Sequence, residues 1–235
     1  MKRTLLAASC LLALALPASA DIIFLGQEDL GGLRFGNVPR MLTLQTAPVE
    51  SGSVTPGGLT GDAVPGADKS ALVTLNALGW ATGAEAQLAF NADTANTGIS
   101  IQALIMTVYN GNSVVGTFSL PSMVTFDLDQ VKNEQGNGNG VFVFGLNAAQ
   151  QITMSDIINT SGSGMFTVGL NSTIGCGAMA PAGCIGTNDG PDTYIGIPGT
   201  HAVPGPIVGA GIPGLVMALG GMVGLNRFRR RKQAV

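Results

Sequence analysis

The chain has 235 residues, a formal net charge of −3, three cysteines and a single histidine. One histidine leaves little capacity for Ser-His-Asp or Cys-His catalysis, or for a zinc site of the usual Cys and His ligands. Residues 21–202 contain all 14 acidic residues but only four basic ones, a net charge of −10, which argues against a nucleic acid as partner.

The first 20 residues have the organisation of a secretory signal peptide. A basic start precedes the uncharged stretch Leu5–Leu16, and Ala18 and Ala20 form an A-x-A cleavage site before Asp21. An apolar core of about 12 residues is typical of signal peptides and short for a bilayer span. We therefore predict cleavage between Ala20 and Asp21. Two alternatives are an uncleaved N-terminal anchor and lipidation of Cys10 inside the apolar stretch.

Residues 21–202 are predicted to form one all-β domain. Short runs rich in Val, Ile, Leu and Thr alternate with clusters of Gly, Asn and Pro, which is the pattern of strands joined by turns. Such a pattern indicates a β-sandwich or a jelly roll. Segment 47–70 is dominated by Gly, Pro, Ser and Thr and is predicted to be a long surface loop. The predicted strands are Ile22–Leu25, Met41–Thr46, Ala71–Leu78, Ala84–Phe90, Ile99–Tyr109, Ser113–Leu120, Met123–Leu128, Gly140–Leu146, Met165–Asn171 and Thr193–Ile197.

Two local features of this domain are predicted in more detail. Asn110 and Gly111 stand between two strand-like runs, and Asn-Gly is the preferred pair for a type I′ hairpin turn. Residues 150–159 are the one helix-like piece, with Ile152, Ile157 and Ile158 on a partly shared face.

Two acidic pairs are candidate calcium ligands. Asp127 and Asp129 would point to one face of a strand, where they could also serve as a glycosidase pair, and Asp189 and Asp192 flank a Gly-Pro turn. The favoured interpretation of both is a turn or a solvated strand edge, because neither has the regular oxygen ligands of an EF-hand loop. We therefore assign no metal site and expect no cofactor, with bound calcium as the alternative.

Cys176 and Cys184 are predicted to form a disulfide. They enclose seven residues, and an exported chain meets oxidising surroundings. The aromatic side chains of Trp80 and Tyr194 could contact a sugar, but each lies at a predicted strand edge, where a core or rim position is the favoured interpretation. No catalytic residue is assigned, so we expect a protein that is not an enzyme.

The C-terminus carries the marks of a membrane anchor. Residues 207–225 are 19 residues without a charge, about 28 Å as a helix, which is close to the thickness of the hydrocarbon core. A basic cluster at this end stays in the cytoplasm and places the preceding domain outside. Gly220 and Gly224 form a G-x-x-x-G pair that could pack against another helix, although the pattern arises readily in so Gly-rich a segment. The basic cluster consists of Arg227, Arg229, Arg230, Arg231 and Lys232.

A short proline motif, Val203-Pro204-Gly205-Pro206, directly precedes the apolar segment. The order of proline motif, apolar helix and basic end resembles the PEP-CTERM sorting domain of Gram-negative bacteria, whose signature is Val-Pro-Glu-Pro; Gly205 replaces the usual Glu. The resemblance covers about 30 residues. It implies recognition by exosortase, a membrane-embedded protease or transpeptidase, and an association with exopolysaccharide. The alternative is a permanent tail anchor.

Taken together, the residues predict a signal peptide (1–20), an extracytoplasmic β-rich domain (21–202) and a sorting or anchor segment (203–235). The last comprises a transmembrane helix over 207–225 and a basic tail over 226–235. We expect a protein exported to the periplasmic face of the inner membrane and then, after processing, to the cell surface or extracellular matrix. The alternative function is a calcium- or glycan-binding, lectin-like module on the same tail.

Overall fold

The computed structural model describes residues 21–27, 39–66, 68–93, 97–132, 141–161, 165–188 and 190–199. Strands dominate these residues, as predicted, and three helical pieces accompany them: the 3-10 turn Gly83–Glu85, α1 (Leu128–Lys132) and α2 (Ala148–Ser161). The strands are β1 (Ile22–Gln27), β2 (Arg40–Leu44), β3 (Val49–Thr55), β4 (Gly58–Gly61), β5 (Val73–Thr74), β6 (Ala86–Asn91), β7 (Ile99–Asn110), β8 (Ser113–Ser119), β9 (Val124–Phe126), β10 (Val141–Leu146), β11 (Phe166–Gly175) and β12 (Asp192–Pro198).

The strands form two antiparallel sheets. Sheet A has the order β1-β10-β6-β12-β2. Sheet B has the order β4-β3-β11-β7-β8, with β5 added to β11 and β9 added to β7. Most neighbours in these sheets are far apart in the chain, so long-range pairing rather than successive hairpins builds the domain.

The two sheets share one hydrophobic core. Phe126 of β9, in sheet B, stacks on Phe142 of β10, in sheet A, with ring centroids 3.7 Å apart. Tyr194 of β12 and Ser172 of β11 are hydrogen-bonded across the same space. Because side chains alternate along a strand, each of these strands turns every second residue toward the other sheet. Burial of this shared apolar surface is the main stabilising term of the domain.

The prediction that segment 47–70 is a loop was wrong. It contains β3 and β4, which pair in an antiparallel hairpin. Hydroxyl groups support both pairings of β3. The hydroxyls of Ser53 and Thr60 lie 2.7 Å apart across the hairpin, and the hydroxyls of Ser51 and Thr173 lie 3.0 Å apart between β3 and β11. Small polar residues therefore build strands here through cross-strand hydrogen bonds.

The predicted hairpin between β7 and β8 is present, but its turn differs from the prediction. Asn110 pairs with Ser113, so the two loop residues are Gly111 and Asn112. Gly111 has φ +59°, and no residue other than glycine has a positive φ in the described part of the chain. A positive φ at the first loop residue alone is the pattern of a type II′ turn, not type I′.

The predicted helix is confirmed as α2 and is longer than the prediction. Asn147 caps it, because its side-chain oxygen accepts a hydrogen bond from the Gln150 amide at 2.9 Å. Met154 and Ile158, four residues apart, are buried against the core. Ile152 was expected to share this face, but it is 66% exposed.

No helix in the described part of the chain is long and apolar enough to cross a membrane. The predicted span over 207–225 lies outside that part.

Candidate functional site

Asp21, the residue predicted to follow signal cleavage, is hydrogen-bonded to two distant parts of the chain. Asp21 accepts hydrogen bonds from the Gln150 side chain at 2.8 Å and from the Ser119 amide at 3.4 Å. Its backbone carbonyl accepts from the Asn147 amide at 3.1 Å. Asp21 thus joins β8 to the start of α2.

Several predicted site residues lie outside the described residues, namely Ala20, Asp189, the sorting motif (Val203, Pro204, Gly205 and Pro206) and the basic cluster (Arg227, Arg229, Arg230, Arg231 and Lys232). The structure places Asp21, Asp127, Asp129, Cys176, Cys184 and Asp192.

Cys176 and Cys184 lie together in disulfide geometry, with their Cα atoms 5.9 Å apart. The loop that they close follows β11. The amides of Cys176 and Thr187 both donate to the Pro48 carbonyl at 3.1 Å, and the Ile185 amide donates to the Ser100 hydroxyl at 2.8 Å. These bonds hold the loop to the ends of β3 and β7.

Asp127 and Asp129 do not share one face of a strand, so this prediction was wrong. Asp127 caps α1: its carboxylate accepts from the Gln130 amide, and the Gln130 side chain accepts from the Asp127 amide, both at 2.9 Å. This reciprocal pair is a capping box. Asp129 lies in the exposed first turn of α1. Side chains two positions apart share a face on a strand, but not on a helix or at a helix start.

Trp80 and Tyr194 are buried, which confirms the favoured interpretation of a core position and contradicts the alternative of a sugar contact. Trp80 is 1% exposed, and its indole nitrogen donates to the Ile197 carbonyl at 2.8 Å. Tyr194 is fully buried and bonded to Ser172. Neither ring is available as a platform for a sugar.

The structure brings Asp192 to an acidic partner that the sequence did not reveal. Glu50 lies on β3 of sheet B, opposite Ile174 of β11, and Asp192 begins β12 of sheet A, opposite Leu44. Both carboxyl groups have no solvent exposure. We call Glu50 and Asp192 the buried carboxyl pair.

Most oxygens of the buried carboxyl pair have no hydrogen-bond partner. Asp192 Oδ1 accepts from the Asp93 amide at 2.8 Å, but Asp192 Oδ2 and both oxygens of Glu50 accept none. The Thr187 hydroxyl, which donates to the Thr46 carbonyl at 3.1 Å, is close to Glu50 without forming a hydrogen bond to it of normal geometry. An unpaired ionised carboxylate is too costly in such a place, so a carboxyl group there is expected to hold its proton.

Burial accordingly raises both pKa values. The pKa of Glu50 rises from 4.5 to about 9, chiefly through desolvation and then through the charge of Asp192. The pKa of Asp192 rises from 3.8 to about 7, again chiefly through desolvation. The same burial raises the pKa of the Tyr194 phenol. No basic side chain is among the groups that shift these pKa values.

The described residues contain no group of three or more His, Cys, Asp or Glu side chains that could hold a metal ion. The buried carboxyl pair supplies two such residues, flanked by the hydroxyls of Thr187 and Tyr194. Because both carboxyl groups are fully buried, a substrate has no access to them. The arrangement can bind protons, but it does not present a surface to a substrate.

Comparison of the chain with protein-family models, with curated proteins and with solved structures finds no match in any of the three.

Proposed function

We propose that this chain is an exported surface or extracellular-matrix protein, delivered by a C-terminal sorting segment and carrying a non-enzymatic β-sandwich domain. The observation that carries the proposal is the order of the targeting signals in the sequence. An A-x-A site precedes Asp21, and Val203-Pro204-Gly205-Pro206 precedes an uncharged segment with a basic end. Asp21 is itself hydrogen-bonded to Gln150 and to Ser119, as expected of a residue that belongs to the domain.

The cysteine pair supports an extracytoplasmic location for the domain. Cys176 and Cys184 are close enough to be joined, and such bonds persist in oxidising compartments. The acidic balance of residues 21–202 fits a soluble domain outside the cell. On this proposal, residues 207–225 span the inner membrane and the basic cluster remains in the cytoplasm.

The proposed partners follow from the tail. An exosortase-like enzyme would recognise Val203-Pro204-Gly205-Pro206, and the released domain would join exopolysaccharide in the matrix. On this proposal, the prolines on either side of Gly205 would disfavour a helix and keep the motif extended, as a protease substrate requires. The basic cluster would then halt translocation of the chain across the inner membrane.

Deletion of residues 203–235 tests the sorting segment. We expect the shortened chain to be recovered as a soluble periplasmic protein, whereas the full chain fractionates with membrane or is trimmed near Pro204. The matched control replaces Pro198, which ends β12, by Ala and leaves the sorting motif intact. If the shortened chain remains in the membrane fraction, the segment is not the anchor.

A calcium-binding module is the second candidate, and the buried carboxyl pair is the observation that favours it. Two uncompensated carboxyl groups from different sheets could enclose a cation, and Ca²⁺ prefers oxygen ligands. The measurement is thermal melting of the full chain in detergent at pH 8, with Ca²⁺ and with a chelator. A rise in Tm with Ca²⁺ that is lost in Glu50→Gln, but kept in Asp129→Asn, supports this candidate. An unchanged Tm removes it.

A further inference from the structure

The outer face of sheet B, which points away from sheet A, is open to solvent and polar. On β11, Val168 and Leu170 are buried in the core, whereas Asn171, the next residue, points outward and is exposed. On β7 and β8, Thr107 and Thr117 point the same way and lie opposite each other. The outward side chains that we call the polar face are those of Ser51, Thr60, Thr107, Thr117, Asn171 and Thr173.

Among the described strands of sheet B, none places a charged side chain on this outer face. Their one charged residue is Glu50, which is fully buried on the inner side. A soluble protein surface is commonly about 25–35% charged, and residues 21–202 have a net charge of −10. Because burying an unpaired charge is costly, an exposed face free of charge suits a ligand that is itself uncharged.

The outward side chains are regularly spaced. One row crosses five neighbouring strands in the order Thr60, Ser53, Asn171, Ile105 and Ser119. Four strand spacings of about 4.8 Å give this row a length of about 19 Å, and outward side chains recur about every 7 Å along each strand. All but one of the side chains in the row are polar. An extended chain that lies on this face can therefore form hydrogen bonds at repeated intervals.

Hydrogen bonds between neighbouring hydroxyl groups hold part of this face in place. The hydroxyls of Ser51 and Thr173 lie 3.0 Å apart, and those of Ser53 and Thr60 lie 2.7 Å apart. A hydroxyl has one proton and two lone pairs, so each bonded pair keeps one proton and several lone pairs for a ligand. Side chains that are already fixed lose less entropy on binding. The hydroxyl groups of a sugar can both donate to such pairs and accept from them.

Two carboxylates lie at the margins of sheet B. Asp62 Oδ2 accepts from the Ser51 amide at 2.8 Å, just after β4, and Asp21 Oδ2 accepts from the Ser119 amide at 3.4 Å, at the end of β8. The described strands between them carry no basic residue. These carboxylates would repel an anionic polymer but not a neutral one. The charge pattern therefore favours a neutral polysaccharide over an anionic one.

We propose that the outer face of sheet B binds an uncharged polysaccharide through the polar face. This inference rests on the proposed function, which places the domain in exopolysaccharide, and it adds the contact surface and the charge class of the ligand. An apolar partner fits less well, because it would leave the hydroxyl groups of Thr60, Thr107 and Thr117 without hydrogen-bond partners.

Retention of the full chain, in detergent, on insoluble polysaccharides tests the proposal. The uncharged probes are cellulose, chitin and cross-linked dextran. Carboxymethyl cellulose is an anionic probe with the same backbone as cellulose. We expect retention on at least one uncharged probe and none on carboxymethyl cellulose.

Two matched variants locate the contact. Asn171→Asp places a negative charge in the middle of the polar face with almost no change of shape, and Asn159→Asp makes the same change at an exposed residue of α2. We expect the first to reduce retention severalfold and the second to leave it unchanged, with thermal melting as the check that both are folded. If Asn171→Asp does not fold, the double variant Thr107→Val, Thr117→Val is measured in its place.

Several results would overturn the proposal. Retention on none of the uncharged probes would do so, as would equal retention on cellulose and carboxymethyl cellulose, or unchanged retention of a folded Asn171→Asp variant. A dimer in analytical ultracentrifugation that Asn171→Asp dissociates, without retention on any probe, would instead identify a second copy as the partner of this face. Each of these results leaves the proposed export and sorting intact, because those are tested by the mass of the processed chain.

Discussion

The phenol of Tyr194 on β12 and the hydroxyl of Ser172 on β11 lie 2.9 Å apart and join the two sheets inside the core. Ser172 also donates to the Ala103 carbonyl at 2.9 Å, so the Tyr194 hydroxyl is the donor of the bond between the sheets. Two substitutions at this bond should therefore have unequal effects.

Ser172→Ala should destabilise the domain more than Tyr194→Phe. The first leaves a buried phenol without a partner, which costs about 1–3 kcal/mol, whereas the second removes the donor and leaves Ser172 bonded to Ala103. Urea unfolding of both variants measures the difference. The control is Thr117→Ala, at an exposed residue. A larger loss in Tyr194→Phe would mean that Ser172 depends on the phenol.

The buried carboxyl pair should make the domain less stable as the pH rises. The pKa of Glu50 is raised from 4.5 to about 9 in the folded state, so between these values the folded state binds more protons than the unfolded chain. The stabilisation is fully present below about pH 4.5 and is lost as the pH rises through about 9, at up to about 1.4 kcal/mol per pH unit for one proton. Asp192 adds to the loss between its ordinary pKa and about 7.

Glu50→Gln tests this dependence because it keeps the shape of the neutral side chain without the titration. We expect the free energy of unfolding to be similar to that of the unsubstituted chain at pH 5 and higher at pH 9. Asp129→Asn, at an exposed carboxylate, should leave the slope between these pH values unchanged. A free energy of unfolding that rises from pH 5 to pH 9 would mean that the pair is ionised and compensated.

The chain has a single tryptophan, so its fluorescence reports on Trp80 alone. Trp80 is 1% exposed and its indole nitrogen is bonded to the Ile197 carbonyl. We expect blue-shifted emission with little quenching by iodide, no change on addition of oligosaccharides, and a red shift on unfolding. Strong quenching in the native state would place the indole at the surface, where it could contact a sugar.

Removal of the disulfide should weaken the domain by roughly 2–3 kcal/mol, the value expected for a loop of this size. The Cys176→Ser, Cys184→Ser double variant is compared with each single variant under non-reducing conditions by urea unfolding. The loop keeps its backbone bonds to Pro48 and Ser100, so the double variant should still fold. An identical stability with and without reductant in the unsubstituted chain would show that the bond is not formed.

Strands with a clear β pattern could be predicted from the sequence. The apolar run Val141-Phe142-Val143-Phe144, for example, lies in β10 of sheet A. The hairpin β3–β4 could not, because its Ser and Thr side chains are typical of loops as well as of hydrogen-bonded strand pairs. Ser53 and Thr60 stabilise the strand pair through a bond between their hydroxyl groups, which forms only in the folded chain.

The buried carboxyl pair could not be predicted for the same reason. Glu50 lay within the segment interpreted as a loop, where an acidic residue is unremarkable. Its partner, Asp192, is 142 positions away in the chain and on the other sheet, so the packing of the two sheets brings the carboxyl groups together. The local pattern around Glu50, with Gly52 and Val54 following at alternate positions, was the one available signal that it points inward.

The intact mass of the protein recovered from the surface or matrix of the producing cells tests the proposed export and sorting most directly. We expect a species that begins at Asp21, ends close to Pro204 and lacks the apolar segment with its basic end. A surface species that begins at Asp21 and retains residues 207–235 would contradict the proposed processing, and a chain that still begins at Met1 would contradict export through a cleaved signal.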